Sequence, residues 1–399
     1  MGIFDGATDG IYRDKDVLDE DYQPDQVLER EDEIADYRDA LLDVLFGRTP
    51  DNIFLYGKAG VGKTAVTNFV LGELQAEVET RDTADPIHIS RVNCDSETTY
   101  SVIRELANGL LPATHSPYAA KGYSTSDLFD ELYTQMERVG GTHLIVLDEV
   151  DHLTDPDALL YQLPRARANG YLNDARVGII GISNNYTFRN TLSSKVKSTL
   201  METEISFSTY DADELISILE HRADLAFQPG VCEDSAITLC AAYAAKDDGS
   251  ARQAIDLLRA AADAAWKADD PTITDAHVKD VRDDVDRGQL HDKISDQTTN
   301  AQRVLEAAAR LQNEHGEPAR TREIQESYQQ LARSYGDPDP STSLKFAQRH
   351  LDDLEMLGFV IKSEENRGKG GGRSYIWEVD MDLETVIDVR EDIEQTNAA

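Results

Sequence analysis

The stretch Ile53-Phe-Leu-Tyr-Gly-Lys-Ala-Gly-Val-Gly-Lys-Thr64 constrains this chain more than any other. Its apolar start, residues 53–56, predicts a buried strand, G-x-x-x-x-G-K-T follows from Gly57 to Thr64, and residues 65–77 have helical composition. Strand, glycine loop and helix in that order are the context a P-loop needs. Glycines at 57, 60 and 62 accept backbone angles that turn successive N–H groups toward one point at a helix N-terminus, where phosphate oxygens bind. Lys63 is placed to reach the β- and γ-phosphates, and the Thr64 hydroxyl to hold Mg²⁺. A glycine turn between strand and helix would explain one or two of these residues but not the whole run. The pattern predicts a site for a nucleoside triphosphate.

Beyond the loop, predicted strands and helices alternate. A strand over 87–93 and helices over 99–110 and 124–139 lead to Thr142-His-Leu-Ile-Val-Leu-Asp-Glu-Val-Asp151. An apolar run ending in Asp-Glu is a Walker B pattern, a buried parallel strand that delivers two carboxylates to one crevice. Asp148 would steady Mg²⁺ and Glu149 would orient and polarise the attacking water. After a helical stretch around 158–169, another apolar strand, 177–183, ends in Asn184-Asn185, and a last strand covers 204–207. Tyr210 and a helix over 211–227 follow, and then helices alone, over 235–245, from 250 onward and over 274–287. Strands alternating with helices and then helices only give an α/β base with an α-helical lid. Residues 288–298 are polar and predict a linker. Helices over 300–314, 321–335 and 341–357, then strands 359–363 and 374–379 joined by a glycine-rich turn, predict a winged helix. The domain boundaries read as a flexible 1–15, a nucleotide-binding base 16–208, a lid 209–287, the linker 288–298 and a winged-helix domain 299–399.

The outward face of the third of these helices carries Thr342, Lys345, Gln348 and Arg349, side chains suited to a major groove. The hairpin tip offers Arg367, Lys369 and Arg373 for phosphates or a minor groove. Residues 320–373 hold nine Lys or Arg against nine Asp or Glu, while the 399-residue chain has a formal net charge of −37. A locally neutral segment on so acidic a protein points to a polyanion partner; a protein-docking winged helix is the alternative. Of 39 basic residues only 13 are lysines, set against 76 acids, yet hydrophobic residues make up 40% of the chain. That apolar content argues against disorder, and the hydrated carboxylates fit a salt-adapted cytosol such as that of haloarchaea. Cys94, Cys232 and Cys240 have no C-x-x-C spacing, the nine histidines form no H-x-x-x-H pair, and no metal site is visible. The Asp- and Gly-rich start is no signal peptide, and no apolar run is long enough for a membrane helix. The expectation is a soluble, cytoplasmic protein.

Several segments together resemble the archaeal origin-recognition initiator family of AAA+ ATPases. They are the P-loop, Val92-Asn-Cys94, Leu147-Asp-Glu-Val-Asp151, Ile180-Gly-Ile-Ser-Asn184, Val196-Lys-Ser198, Gly249-Ser-Ala-Arg-Gln-Ala-Ile-Asp-Leu-Leu-Arg259 and the terminal winged helix. These initiators are related to the largest origin recognition complex subunit and its partner helicase loader, and the similarity runs over residues 16–379. The resemblance implies that Asn184 is the sensor-1 residue and Arg252 the sensor-2 residue. It places nucleotide contacts on Gly60, Val61, Gly62, Lys63, Thr64 and Ala65, on Tyr210 beside the base and on Arg222 in the next helix. It implies ATP or ADP with Mg²⁺ as cofactors, ATP binding with slow hydrolysis as a switch, and double-stranded origin DNA as a partner. Residues 92–109 match the family's insertion, which also touches DNA. The minichromosome maintenance helicase and other initiator paralogues are further implied partners, with nucleoid association in a high-salt cytosol. Where relatives carry an arginine finger this chain has Lys195, a point charge without a planar fork, so trans-stimulated hydrolysis is not implied. The rival readings are a signalling or transposition-type ATPase whose winged helix binds protein, and an ATP-independent DNA-binding regulator.

Overall fold

The structure of the chain, a computed structural model, describes residues 10–81, 85–365 and 374–398. The chain divides into two compact units, residues 1–278 and 279–399.

In the first unit α1 (Glu31–Leu41) precedes β1 (Ile53–Tyr56), which runs through the glycine loop into α2 (Lys63–Glu79). Next come β2 (Ile87–Asn93), α3 (Thr99–Gly109), α4 (Thr125–Val139), β3 (Thr142–Asp148) and α5 (Pro156–Gln162). The layer is completed by β4 (Arg176–Ser183), α6 (Phe188–Thr191), α7 (Ser194–Leu200) and β5 (Thr203–Ser206). The five strands are parallel, in the order β2-β3-β4-β1-β5. Helices cover both faces, so the strands are apolar on both sides. Phe54, Tyr56, Ile145 and Leu147 enter one core, and Ile53, Leu55, Leu144 and Val146 the other. Gly181 is required here, because a Cβ at that position would stand 2.5 Å from the Phe54 ring.

Four helices follow the sheet: α8 (Ala212–Ala226), α9 (Asp234–Asp247), α10 (Ala251–Lys267) and α11 (Asp275–Ser295). Asp211 caps α8 through a capping box with Glu214, and Ser250 Oγ caps α10 by accepting from Gln253 N–H. The facing side chains are mostly alanines, among them Ala236, Ala241, Ala254 and Ala261, all buried, which lets the axes come close. Residues 10–15 differ from the expected loose terminus. Arg13 N–H donates to Ala226 O (2.8 Å), and Tyr12 Oη and Lys15 Nζ both donate to Asp263 Oδ1.

The second unit holds the rest of α11, then α12 (Thr299–His315), β6 (Ala319–Arg320), α13 (Thr321–Ser334), α14 (Leu344–Met356), β7 (Val360–Glu365), β8 (Ser374–Val379) and α15 (Leu383–Ala398). Its antiparallel sheet has the order β6-β8-β7. One expectation is corrected. Residues 288–295 of the expected linker are helical, since α11 continues to Ser295 and packs Leu290 and Ile294 into this unit's core. The sequence also left α15 unassigned; Val386, Val389 and Ile393 bury one of its faces beside Val304 and Leu305. Arg367, Lys369 and Arg373 lie outside the described residues.

Candidate nucleotide site and nucleic-acid interface

The glycine loop folds as its composition dictates. Gly60 (φ 76°) and Gly62 (φ 91°) take left-handed angles, which favour glycine. A side chain at either would also collide, at Gly60 with Ser250 Oγ and at Gly62 with the Tyr210 hydroxyl, 2.9 Å from a built Cβ. The cradle is therefore shaped for backbone N–H groups. Lys63 opens α2 and is buried, and its ammonium donates to Gly57 O (2.7 Å), Lys58 O (2.6 Å) and Asn184 Oδ1 (2.8 Å). Burial holds this ammonium down to about 8, against the pull of Asp148 and Asp151. The desolvated cation fits the charge of a phosphate.

Thr64 Oγ1 donates to Asp148 Oδ2 (3.0 Å), so the two groups that fit Mg²⁺ already face each other. Asp148 Oδ1 accepts from Glu149 N–H (3.0 Å), and Glu149 sits at φ 53°, a left-handed angle that side chains rarely adopt. Burial pushes the Glu149 carboxyl up; His152 pulls it down, and Asn93 pulls it down by hydrogen bonding. Asn93 escaped the sequence reading. It ends β2 in register with Asp148, and its Oδ1 accepts from Asp95 N–H (2.8 Å), which leaves the amide N–H groups for Glu149. Parallel register was the missing information, since residues 93 and 149 are remote in sequence.

Arg30 was also missed. It is buried, donates to Val61 O (3.1 Å) and Ser208 O (2.7 Å), and lies 3.6 Å over the Tyr210 ring. It thereby ties the segment before α1 to the loop and to the residues after β5. Tyr210 is buried beside Gly62, and burial raises its hydroxyl to about 12. Val61 is fully buried and Ala65 half-buried.

The structure thus brings together Lys63, Thr64, Asp148, Glu149 and Asn184. Other site residues lie apart from that group. Arg252, in the first turn of α10, has its Cβ near Gly60, but its guanidinium pairs with Glu20 (2.9 Å). Arg222 donates to Val17 O (2.9 Å) and covers Tyr22 at 4.5 Å. Lys195, in the first turn of α7, is exposed and stands 3.6 Å over the Tyr161 ring.

On the second unit, Thr342, Lys345 and Arg349 are exposed at or near the start of α14. Gln348 turns inward instead. It accepts from Thr321 Oγ1 (3.2 Å) and donates to Asp352 Oδ1 (3.0 Å), within a chain that begins at Trp377 Nε1 and includes Lys362. Asp352, Asp353 and Glu355 gather on the later turns, so the exposed positive charge of α14 sits at its N-terminal half.

Comparison with known proteins agrees with this architecture. Residues 47–188 match an AAA domain, 216–283 the Cdc6 AAA+ ATPase-type lid domain and 292–389 the CDC6 C-terminal winged helix domain. ORC1-type DNA replication protein 8 of Halobacterium salinarum is 45% identical over 377 residues, covering 94% of each chain. ORC1-type DNA replication protein 11 of Haloarcula marismortui is 44% identical, with 97% of this chain and 92% of that protein covered. Among solved structures, the Aeropyrum pernix ORC1 protein in complex with DNA superposes with a TM-score of 0.78 at 32% identity, covering 98% of this chain and all of the other. No described helix is long and apolar enough to cross a membrane. With its AAA domain, lid and winged helix in this order, the chain belongs to the family of ORC1-type DNA replication proteins.

Proposed function

We propose that this protein is a replication initiator that binds origin DNA through its winged helix and its AAA+ domain, with ATP binding and slow hydrolysis acting as a switch. Recruitment or loading of the minichromosome maintenance helicase is its downstream task, alongside other initiator paralogues. The observation that carries the reading is the joint placement of Lys63, Thr64, Asp148 and Glu149 at the ends of β1 and β3. A relic nucleotide site would have no reason to keep all four.

Bound ATP with Mg²⁺ supplies a γ-phosphoryl group and the metal that neutralises its charge. Lys63 would exchange its carbonyl acceptors for phosphate oxygens, and Thr64 and Asp148 would hold the metal. Glu149 would orient a water, with Asn93 fixing the carboxylate and Asn184 beside Lys63. The Glu20 partner of Arg252 is exposed, so little holds the guanidinium away from phosphate. Lys195 lacks a bidentate fork, consistent with slow turnover.

Because Lys63 is held near 8, nucleotide affinity should fall on the alkaline side. Phosphate selects the ammonium form, and the charged fraction drops as pH rises through the pKa. Isothermal titration should give an ATP dissociation constant about fivefold weaker at pH 9 than at pH 8. A flat profile would show that Lys63 keeps its proton.

The DNA reading is tested by fluorescence anisotropy in multimolar KCl. The probes are the intergenic duplex beside the protein's own gene and a scrambled control, each with ADP and with a non-hydrolysable ATP analogue. Preference for the native duplex is expected, and Arg349→Ala should cost about tenfold or more of it. No preference at any salt would favour an ATPase whose winged helix docks on protein. Six phosphate contacts alone would lose roughly seven decades of affinity between about 0.1 and 2 M salt. Binding at high salt therefore leans on base contacts, DNA shape and cations bridging carboxylates to phosphates. A flat or rising KCl dependence supports that account, and a steep fall refutes it.

A further inference from the structure

The loops that leave β2 and β3 bring three potential ligands together. Asp95, Glu149 and His152 each offer an atom, and the three atoms lie within 4.8 Å of one another. Asp95 Oδ1 and His152 Nδ1 are already 3.2 Å apart. Ligands about 2.0–2.2 Å from a tetrahedral ion stand roughly 3.3 Å from each other, so this edge needs no rearrangement, and rotation of the Glu149 side chain closes the rest.

The backbone beneath is fixed. Cys94 N–H donates to Asp148 O (2.8 Å) and Thr154 N–H to Glu97 O (3.0 Å), which zips the two loops together, and His152 N–H donates to Glu149 O (2.9 Å) within the second. A third carboxylate stands behind the histidine. Asp151 Oδ2 is 3.9 Å from His152 Nε2, its side chain is 8% exposed, and its Oδ1 is buried without a hydrogen-bond partner. A histidine that ligates through one nitrogen and faces a carboxylate with the other is the usual outer-shell arrangement of a metal site. Asp95 and His152, 45% and 32% exposed, leave an entry path.

We propose that Asp95, Glu149 and His152 bind a first-row transition dication of the Zn²⁺ class, backed by Asp151, and that this ion withholds Glu149 from hydrolysis. The set of one imidazole and two carboxylates selects such an ion over Mg²⁺, which prefers oxygen ligands and keeps its waters. The site is separate from the Thr64–Asp148 pair, so an ion here can coexist with nucleotide. Its effect on turnover rests on the reading of Glu149 as the water-orienting carboxylate; its existence does not.

The test is a Co²⁺ titration of the full chain in multimolar KCl with excess Mg²⁺, read by visible absorption, with Zn²⁺ displacing Co²⁺. One saturable site is expected. His152→Gln and Asp95→Asn should each weaken it by about 100-fold or more, and Asp151→Asn by about tenfold. An unchanged far-ultraviolet circular dichroism spectrum and melting temperature for each variant show that it is folded. An absent Co²⁺ signal, one indifferent to all three substitutions, or one with thiolate charge-transfer bands from the cysteines would overturn the proposal. Zn²⁺ should also lower ATP turnover without displacing ATP. Co²⁺ binding that depends on His152 in a protein with no ATPase activity would instead refute the hydrolysis reading and leave the metal site standing.

Discussion

Glu149→Gln is expected to lower single-turnover ATP hydrolysis at least about 100-fold while leaving ATP affinity nearly unchanged, since general-base help is typically worth 10²–10⁴. The amide keeps the shape of the side chain but cannot polarise a water. Nothing in the Lys63 and Thr64–Asp148 contacts depends on the Glu149 carboxylate, so the binding half of the site survives. Radiolabelled-ATP turnover and fluorescent-nucleotide anisotropy on the same preparation separate the two. Equal turnover in parent and variant would remove Glu149 from the mechanism, and loss of both activities would make its role structural.

Arg390→Met should destabilise the second unit by about 3 kcal/mol, at the low end for a broken buried ion pair. Arg390 and Glu306 are both 0% exposed, with Nε 3.5 Å from Oε2. The arginine also donates to Gln302 Oε1 (2.8 Å) and Glu394 Oε2 (2.8 Å). Without it, Glu306 stays buried, though Arg310 Nη2 (2.8 Å) and Tyr335 Oη (2.8 Å) still reach its other oxygen. That partial compensation sets the estimate near the floor. Hydrogen exchange localised to α12 and α15 is the measurement, and adding Glu306→Leu should recover most of the loss, since apolar replacement of a whole pair is often neutral. Unchanged protection in Arg390→Met would mean the network contributes nothing net.

The sheet and the phosphate loop were legible because their signals are local. Residues 53–64 and 142–151 write strand, loop and carboxylates in unbroken order. What stayed hidden depends on which strands are neighbours. Asn93 and Asp95 meet Glu149 and His152 only because β2 lies beside β3 with residue 93 opposite 148. Arg30 and Gln348 read as charged or polar surface until their partners on distant elements are known. The helical character of residues 288–295 was masked by polarity. Leu290 and Ile294, one turn apart, are the part of that segment which packs in the core, and most helix stability comes from packing of an apolar face. The same holds for α15, where apolar positions 386, 389 and 393 were present but diluted by acids.

The Gly60 carbonyl accepts from Ala251 N–H (3.0 Å) at the first residue of α10. That carbonyl shares a rigid peptide plane with the Val61 N–H of the phosphate loop. Neither group can turn without the other, so reorienting the loop amide swings the carbonyl that α10 leans on. On the proposed reading of this loop, lid position and phosphate binding are linked through this plane, and such linkage is reciprocal. By whatever factor nucleotide favours one lid position, a partner that grips the lid there tightens nucleotide by the same factor.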